Sequence, residues 1–411
     1  MSVVAVVAAV CFGAVAEIAE LSRERAASSA KTDTEPLLAQ AVNLYGSLSE
    51  ANATATTTFL VGGLEPPARR ARYLADIAAA SESLAVLTRE VGNSPLARDA
   101  VATVARGLPT YTGLVESARA NNRQAFPVGA AYMRQASTLL DTTILPAARR
   151  LYTTEAERLR DDYDTGTSSP WLVAFAVAIL ALIAMLVYAQ WSLARISNRI
   201  FNVPMVAATV LLVALGAWGV TAMTREQDAL ASAQRNGSDS VEVLSAARIL
   251  VSRAQSDESL TLIARGGDTT DPADFDAVIA LLGQPNGSGG LVGEVDALAQ
   301  RAGTAAVAGR FNSDLEAYLA QHTQINALVQ QGQTSAANNL ASGLTSTGPS
   351  PVDHLTADLV GQVAAAQSRF ERAASDATSA LNGLSLAIPL VIVIATVLTL
   401  IGFRLRGIEY R

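Results

Sequence analysis

Reactive side chains are nearly missing from this 411-residue chain. One cysteine, Cys11, and two histidines, His322 and His354, exclude a Cys/His zinc set, a Cys nucleophile and an HExxH helix, each of which needs such groups at fixed spacing. Lys31 is the single lysine, and arginine carries the rest of the positive charge. Because Cys11 lies in an apolar run, no disulfide can staple an exported segment, and helix packing alone must hold it. Carboxylates are plentiful, but Asp161, Asp162 and Asp164, like Asp271, Asp274 and Asp276, fall at expected helix ends and turns, where solvated acids belong. The glycine-rich stretch 287–290 lacks the lysine and the strand-to-helix context of a phosphate loop. Asn52-Ala53-Thr54 matches a glycosylation acceptor by pattern only. The inventory points away from an enzyme, with no metal or cofactor expected.

What the chain has is apolar runs. Trp171 to Ala189 and Val203 to Met223 carry no charge, and each approaches the roughly 20 residues that cross a hydrocarbon core as a helix. Leu384 to Phe403 contains only Ser385, Thr396 and Thr399 as mildly polar residues, and Pro389 lies near its start, where a missing N–H is tolerated. The run Ser2 to Ala16 is short, and Ala14-Val15-Ala16 resembles a leader cleavage site. However, no basic residue precedes it, and Ser22-Arg23-Glu24 follows it as Thr224-Arg225-Glu226 follows the third run. We read it as a retained anchor. The expected organisation is all-α: transmembrane helices at 1–19, 170–193, 203–223 and 384–403, and two tandem extracytoplasmic four-helix-bundle sensor modules at 20–169 and 224–383. A cytoplasmic loop, 194–202, and a tail, 404–411, complete it.

Orientation follows from arginines in the short segments. Arg195 and Arg199 mark the loop, and Arg404, Arg406 and Arg411 the tail, against the single acid Glu409. With those set aside, 25 basic residues face 36 acidic ones, so the outward part is near −11. Nucleic acid is excluded as a partner, and the lipid bilayer is engaged through the spans and not through anionic headgroups.

The modules repeat. Leu37, Ala41, Leu44, Leu48, Ala51, Ala55 and Thr58 recur in steps of three and four, the spacing of a helix-packing seam. Adding 203 gives Ser240, Leu244, Ala247, Val251, Ala254, Glu258 and Thr261, and Gly63 falls on Gly266. A later stretch repeats at an offset of 207: Leu108, Tyr111, Val115 and Ala118 match Leu315, Tyr318, His322 and Ile325. This is an internal duplication. Turns are expected at Gly62 to Pro67, Asn93 to Pro95 and Ala125 to Pro127, then at Gly266 to Pro272, Gln284 to Gly290 and around Gly332, with an extra loop from Gly343 to Pro351.

The stretch Leu108 to Gln124, Pro127 to Tyr132, Leu145-Pro146-Ala147-Ala148, the Gly62 to Pro67 turn and the terminal Glu409-Tyr410-Arg411 resemble the GlnX-like actinobacterial membrane sensor proteins, over nearly the whole chain. The resemblance implies tandem sensor modules that receive an aspartate or glutamate signal through the solute-binding lipoprotein GlnH and pass it to the cytoplasmic Ser/Thr kinase PknG. The Asp164 to Pro170 stretch departs from such a sensor, since a break there interrupts the helix that enters the second span.

Candidate sites follow. The first and third turns of a module should lie together at its distal tip, placing Glu65, Asn121, Asn122, Arg123, Gln124 and Phe126 on one surface for a folded partner. Asn52 and Gln255 are equivalent amides beside the seam, and Glu258 replaces Ala55 on it; these can line a ligand pocket or fix register. His322 can sense pH or be a hydrogen-bonded core histidine. Arg195, Arg199, Arg404, Arg406 and Arg411 are the expected effector contacts. The leading reading is a multi-pass plasma-membrane relay, mostly extracytoplasmic, that serves a separate effector. The alternatives are a structural or assembly scaffold of the cell envelope and, less well supported because the spans hold no ionisable path, a transporter. A homodimer is a further expectation, although no residue specifies it.

Overall fold

The computed structural model describes residues 28–90, 94–167, 169–197, 203–264, 270–301, 304–343, 349–380 and 383–408. The first expected span, with Cys11, lies outside them, as do Arg199, Arg411, Gly266 and the tip segment 265–269. Every regular element among the described residues is a helix.

The chain divides into two compact units. One comprises 34–158 and 235–370 and holds both repeats; the other comprises 1–33, 159–234 and 371–411. In the first repeat a π-helical turn, Ala30–Thr34, leads into α1 (Glu35–Phe59). There follow α2 (Pro67–Glu90), α3 (Pro95–Arg123) and α4 (Val128–Leu139), which passes through a second π turn, Leu140–Ile144, into α5 (Leu145–Thr167). Helix α3 starts where Ser94 Oγ accepts from the amide of Ala97 and Pro95 occupies the first turn, a position that loses no hydrogen bond. The π turn before Pro146 lets the amide of Leu145 reach Leu140 O, so the helix shifts register just ahead of the proline.

The apolar helices of the other unit are α6 (Ser169–Ser197) and α7 (Val203–Ala233). The second repeat opens with a π turn, Gln234–Ser238, at the place of Ala30–Thr34, then α8 (Asp239–Ile263), α9 (Thr270–Leu282), α10 (Gly290–Arg301), α11 (Ala305–Gln330), α12 (Thr334–Ala341) and α13 (Pro351–Ala380). Helix α14 (Leu384–Ile408) closes the chain.

Both seams are buried as the repeat predicts. Leu44, Leu48, Val251 and Ala254 are fully enclosed, as are Tyr111 and Tyr318 on the third helices. Each buried leucine contributes on the order of 2 kcal/mol by leaving water. Helix α1 goes further, since Gly46 through Thr58 are all buried. Its second side packs on α8, and Leu260 and Ile263 of α8 join the hydrophobic cluster of the first repeat.

Two local readings change. The stretch 284–290 separates α9 from α10, which ends at Arg301 while α11 begins only at Ala305, so the partner of α2 is divided in two. The reversal needs positive φ at Gly283, Asn286 and Gly290, and a Cβ on Gly283 would lie 2.3 Å from Gly289 O. The interruption read at Asp164 to Pro170 is helical up to Thr167 and again from Ser169, because Pro170 sits in the first turn of α6, where no donor is lost.

In the other unit α6, α7 and α14 share an apolar cluster that includes Phe175, Ile179, Leu212, Leu215, Ile388 and Ile392. Gly216 and Gly219 lie against Ile179 and Phe175, where a Cβ would be tight at Gly216 and would collide with the Phe175 ring at Gly219, so small residues permit close approach. Gln190 Nε2 donates to Met205 O and Thr209 Oγ1 between α6 and α7. The outward faces are apolar too, with Val177, Leu180, Trp191, Val210, Val213, Leu390 and Val393 exposed. Helices apolar on every side suit hydrocarbon and not water. Val173–Ser192 and the helix that begins at Val203 are long and apolar enough to cross a membrane, and Leu386–Gly402 is a shorter apolar run.

Candidate functional site

The tip of the first repeat assembles from two turns. Gly62 and Gly63 both take positive φ in the turn that follows α1, and Ala125 takes φ 57 before Pro127 restarts the helix. Asn122 Nδ2 donates to Phe59 O at 2.8 Å and ties the turns together. Arg119 donates through Nε to Glu65 Oε2 at 2.7 Å and through Nη1 to Glu116 at 2.6 Å, while Arg70 reaches Glu116 from α2. The expected tip residues therefore divide. Glu65 and Asn122 hold the turns, and Asn121 Nδ2 caps Ser117 O of its own helix. Arg123, Gln124 and Phe126 face outward, together with Leu64, which is 81% exposed. Beside them lies a cleft of about 470 Å³ lined by Gly63, Phe126, Ala130 and Arg134 from the first repeat and Leu262 and Asn338 from the second.

Below the tip the repeats meet along α1 and α8, which run parallel. Arg248 donates to both carboxylate oxygens of Glu50, at 2.6 and 2.8 Å. Asn52 Nδ2 donates to Ser256 Oγ at 2.8 Å, and its Oδ1 accepts from Ser137 at 3.0 Å and from Tyr111 OH at 3.3 Å. Thr57 meets Ser259 at 3.1 Å. Asn52 is 3% exposed, it also lines a cavity of about 130 Å³ with Tyr45, Arg149 and Arg253, and its cross-repeat partner is Ser256 in place of the sequence equivalent Gln255. Gln255 remains half-buried, and its carbonyl accepts from Ser259 Oγ. Two further contacts join the repeats: Arg72 pairs with Asp353 at 2.6 Å, and Arg69 donates to Ser342 O.

Next to this seam Asp76 is raised to about 7, first by burial and then by the nearby Glu50 charge; Arg72, Arg248 and a hydrogen bond with Thr54 only partly offset that. Burial likewise keeps the Tyr111 and Tyr318 phenols protonated.

The second repeat has its own cavity, about 250 Å³, lined by Glu258, Phe275, Asp276, His322, Ile325 and Asn326, among others. His322 Nδ1 lies 2.6 Å from Glu258 Oε1, and its Nε2 accepts from Asn326 Nδ2 at 2.9 Å. The imidazole stacks on Phe275 with centroids 3.8 Å apart. Sequence spacing flagged Glu258 and His322 separately, on two helices; their pairing, and the parts of Phe275 and Asn326, carry no local signal. No group of residues suited to a metal ion occurs among the described residues.

Of the expected effector contacts, Arg195 lies near the end of α6, and Arg404 and Arg406 lie in α14, with Arg404 exposed.

No curated protein and no solved structure matches this chain. Residues 26–164, the first repeat, match the family model described as the actinobacterial sensor domain, which supports a sensing role for a protein of the actinobacterial sensor kind.

Proposed function

We propose that this chain is a multi-pass plasma-membrane relay that senses an extracellular amino acid, aspartate or glutamate, by way of a solute-binding lipoprotein, and passes the signal to a cytoplasmic Ser/Thr kinase. The observation that carries this reading is the sensor-domain match over 26–164. The lipoprotein docks on the exposed Arg123, Gln124 and Phe126, beside the cleft that both repeats line. The bilayer holds the apolar helices, and the kinase is recruited through Arg195, Arg199 and the 404–411 tail.

The polar seam supports a switching role. Apolar seams slide with little penalty, whereas Glu50–Arg248, Asn52–Ser256 and Thr57–Ser259 are directional contacts that have to break together. Such a seam favours discrete arrangements of α1 against α8 over a continuum, and a ligand that binds one arrangement better shifts the balance.

The test is kinase phosphorylation in vesicles that hold the full chain and the lipoprotein, with and without glutamate. Loss of the glutamate response on replacing Arg195 and Arg199 by Ala, or on removing 404–411, with lipoprotein capture intact, is the expected result. An unchanged response in both variants overturns the relay.

A further inference from the structure

The cavities near the tips of the two repeats occupy equivalent places. Ala55, Thr58 and Phe59 in the first correspond to Glu258, Thr261 and Leu262 in the second, at the offset of 203; Val115, Arg119 and Asn122 correspond to His322, Asn326 and Val329, at 207. An aromatic from the second helix lines each, Tyr73 in one and Phe275 in the other.

Their contents differ. In the first repeat the Arg119 guanidinium sits among Glu65, Glu116 and Tyr73, and the cavity shrinks to about 20 Å³. In the second the arginine is replaced by the shorter Asn326, a carboxylate appears where the first repeat has Ala55, and about 250 Å³ opens. No Lys or Arg is among the residues lining it. His322 is engaged on both ring nitrogens, with Nδ1 2.6 Å from Glu258 Oε1 and Nε2 2.9 Å from Asn326 Nδ2. Glu258 is only 6% exposed, so its charge is poorly screened, and Asp276 adds a second carboxylate on the same helix as Phe275. Phe275 and His322, stacked on each other with centroids 3.8 Å apart, flank the cavity.

We propose that this cavity binds a small organic cation carrying a guanidinium or primary ammonium group, held by Glu258 and Asp276 in the place that the first repeat fills with its own Arg119. The proposal is independent of the relay reading, since it concerns direct binding to the second repeat and not capture of a lipoprotein. Calorimetry on the full chain in nanodiscs tests it, with agmatine and putrescine as probes and 1,4-butanediol as the neutral analogue. Saturable binding of one cation per chain is expected, with no binding of the diol. Glu258→Gln should weaken affinity at least tenfold. Asn326→Arg should abolish binding while leaving the thermal midpoint unchanged or higher, because the new guanidinium fills the cavity as Arg119 does; this variant decides the matter should Glu258→Gln fail to fold. Absence of saturable binding, equal affinity in a folded Glu258→Gln variant, or binding retained by Asn326→Arg overturns the proposal.

Discussion

Arg248 closes on Glu50 across the repeats through two hydrogen bonds, at 2.6 and 2.8 Å, with each side chain 9% exposed. Removing one partner leaves the other charge buried without compensation, which costs far more than the pair contributes as a unit. Arg248→Ala should therefore destabilise the fold by about 3–5 kcal/mol. The double change Glu50→Gln with Arg248→Met should recover most of that loss. Denaturant unfolding of the full chain in detergent, read as a double-mutant cycle, checks both.

Asp76 gives a pH dependence of definite sign. Its folded value, about 7, stands above the ordinary carboxylate value of 3.8, so the folded state binds the proton more tightly than the unfolded one. Stability is then highest below about pH 4, falls as pH rises towards 7, and is flat above. The contribution is on the order of 2–4 kcal/mol at most. Asp76→Asn should flatten this part of the profile and raise the thermal midpoint at pH 8, measured by calorimetry between pH 4 and 8. A profile identical in both proteins would refute the assignment.

Asn52 satisfies three buried hydroxyls at once. Asn52→Ala should cost about 2–3 kcal/mol, because Tyr111, Ser137 and Ser256 lose a partner in the interior. Gln255→Ala, at the equivalent sequence position but half-buried, should stay within about 1 kcal/mol of the parent protein. Equal losses would mean that the two amides play the same part after all.

At the tip, Arg123→Ala and Phe126→Ala should leave the thermal midpoint nearly unchanged and weaken lipoprotein capture. Asn122→Ala should do the reverse in part, losing about 1 kcal/mol through its bond to Phe59 O. Capture has to be measured on the full chain. The first repeat alone would uncover the side of α1 that faces α8, with Glu50, Asn52 and Thr57, and lose Leu260 and Ile263 from its core.

The tip was legible because a chain that runs up, down, up and down must gather its first and third turns at one end. What stayed hidden was the second face of α1. Thr54, Thr56 and Thr57 read as ordinary polar positions and Asn52 as an amide beside the seam, and nothing in their spacing says that Ser256 and Ser259 would meet Asn52 and Thr57. The divided partner of α2 was equally obscure, since a Gly-rich stretch marks a turn without saying which turn of the repeat it is.

The sequence by itself determined the helical class, the duplication, the two seams and the apolar runs, because hydrophobic spacing reports which side of a helix leaves water. Tertiary structure alone decided that α1 and α8 pack together, that Glu50 finds Arg248, and that Glu258 and His322 share one cavity. Those pairings depend on which surface comes to lie against which, and residues 64 positions apart, as Glu258 and His322 are, or 198, as Glu50 and Arg248 are, carry no mark of it until the chain has folded.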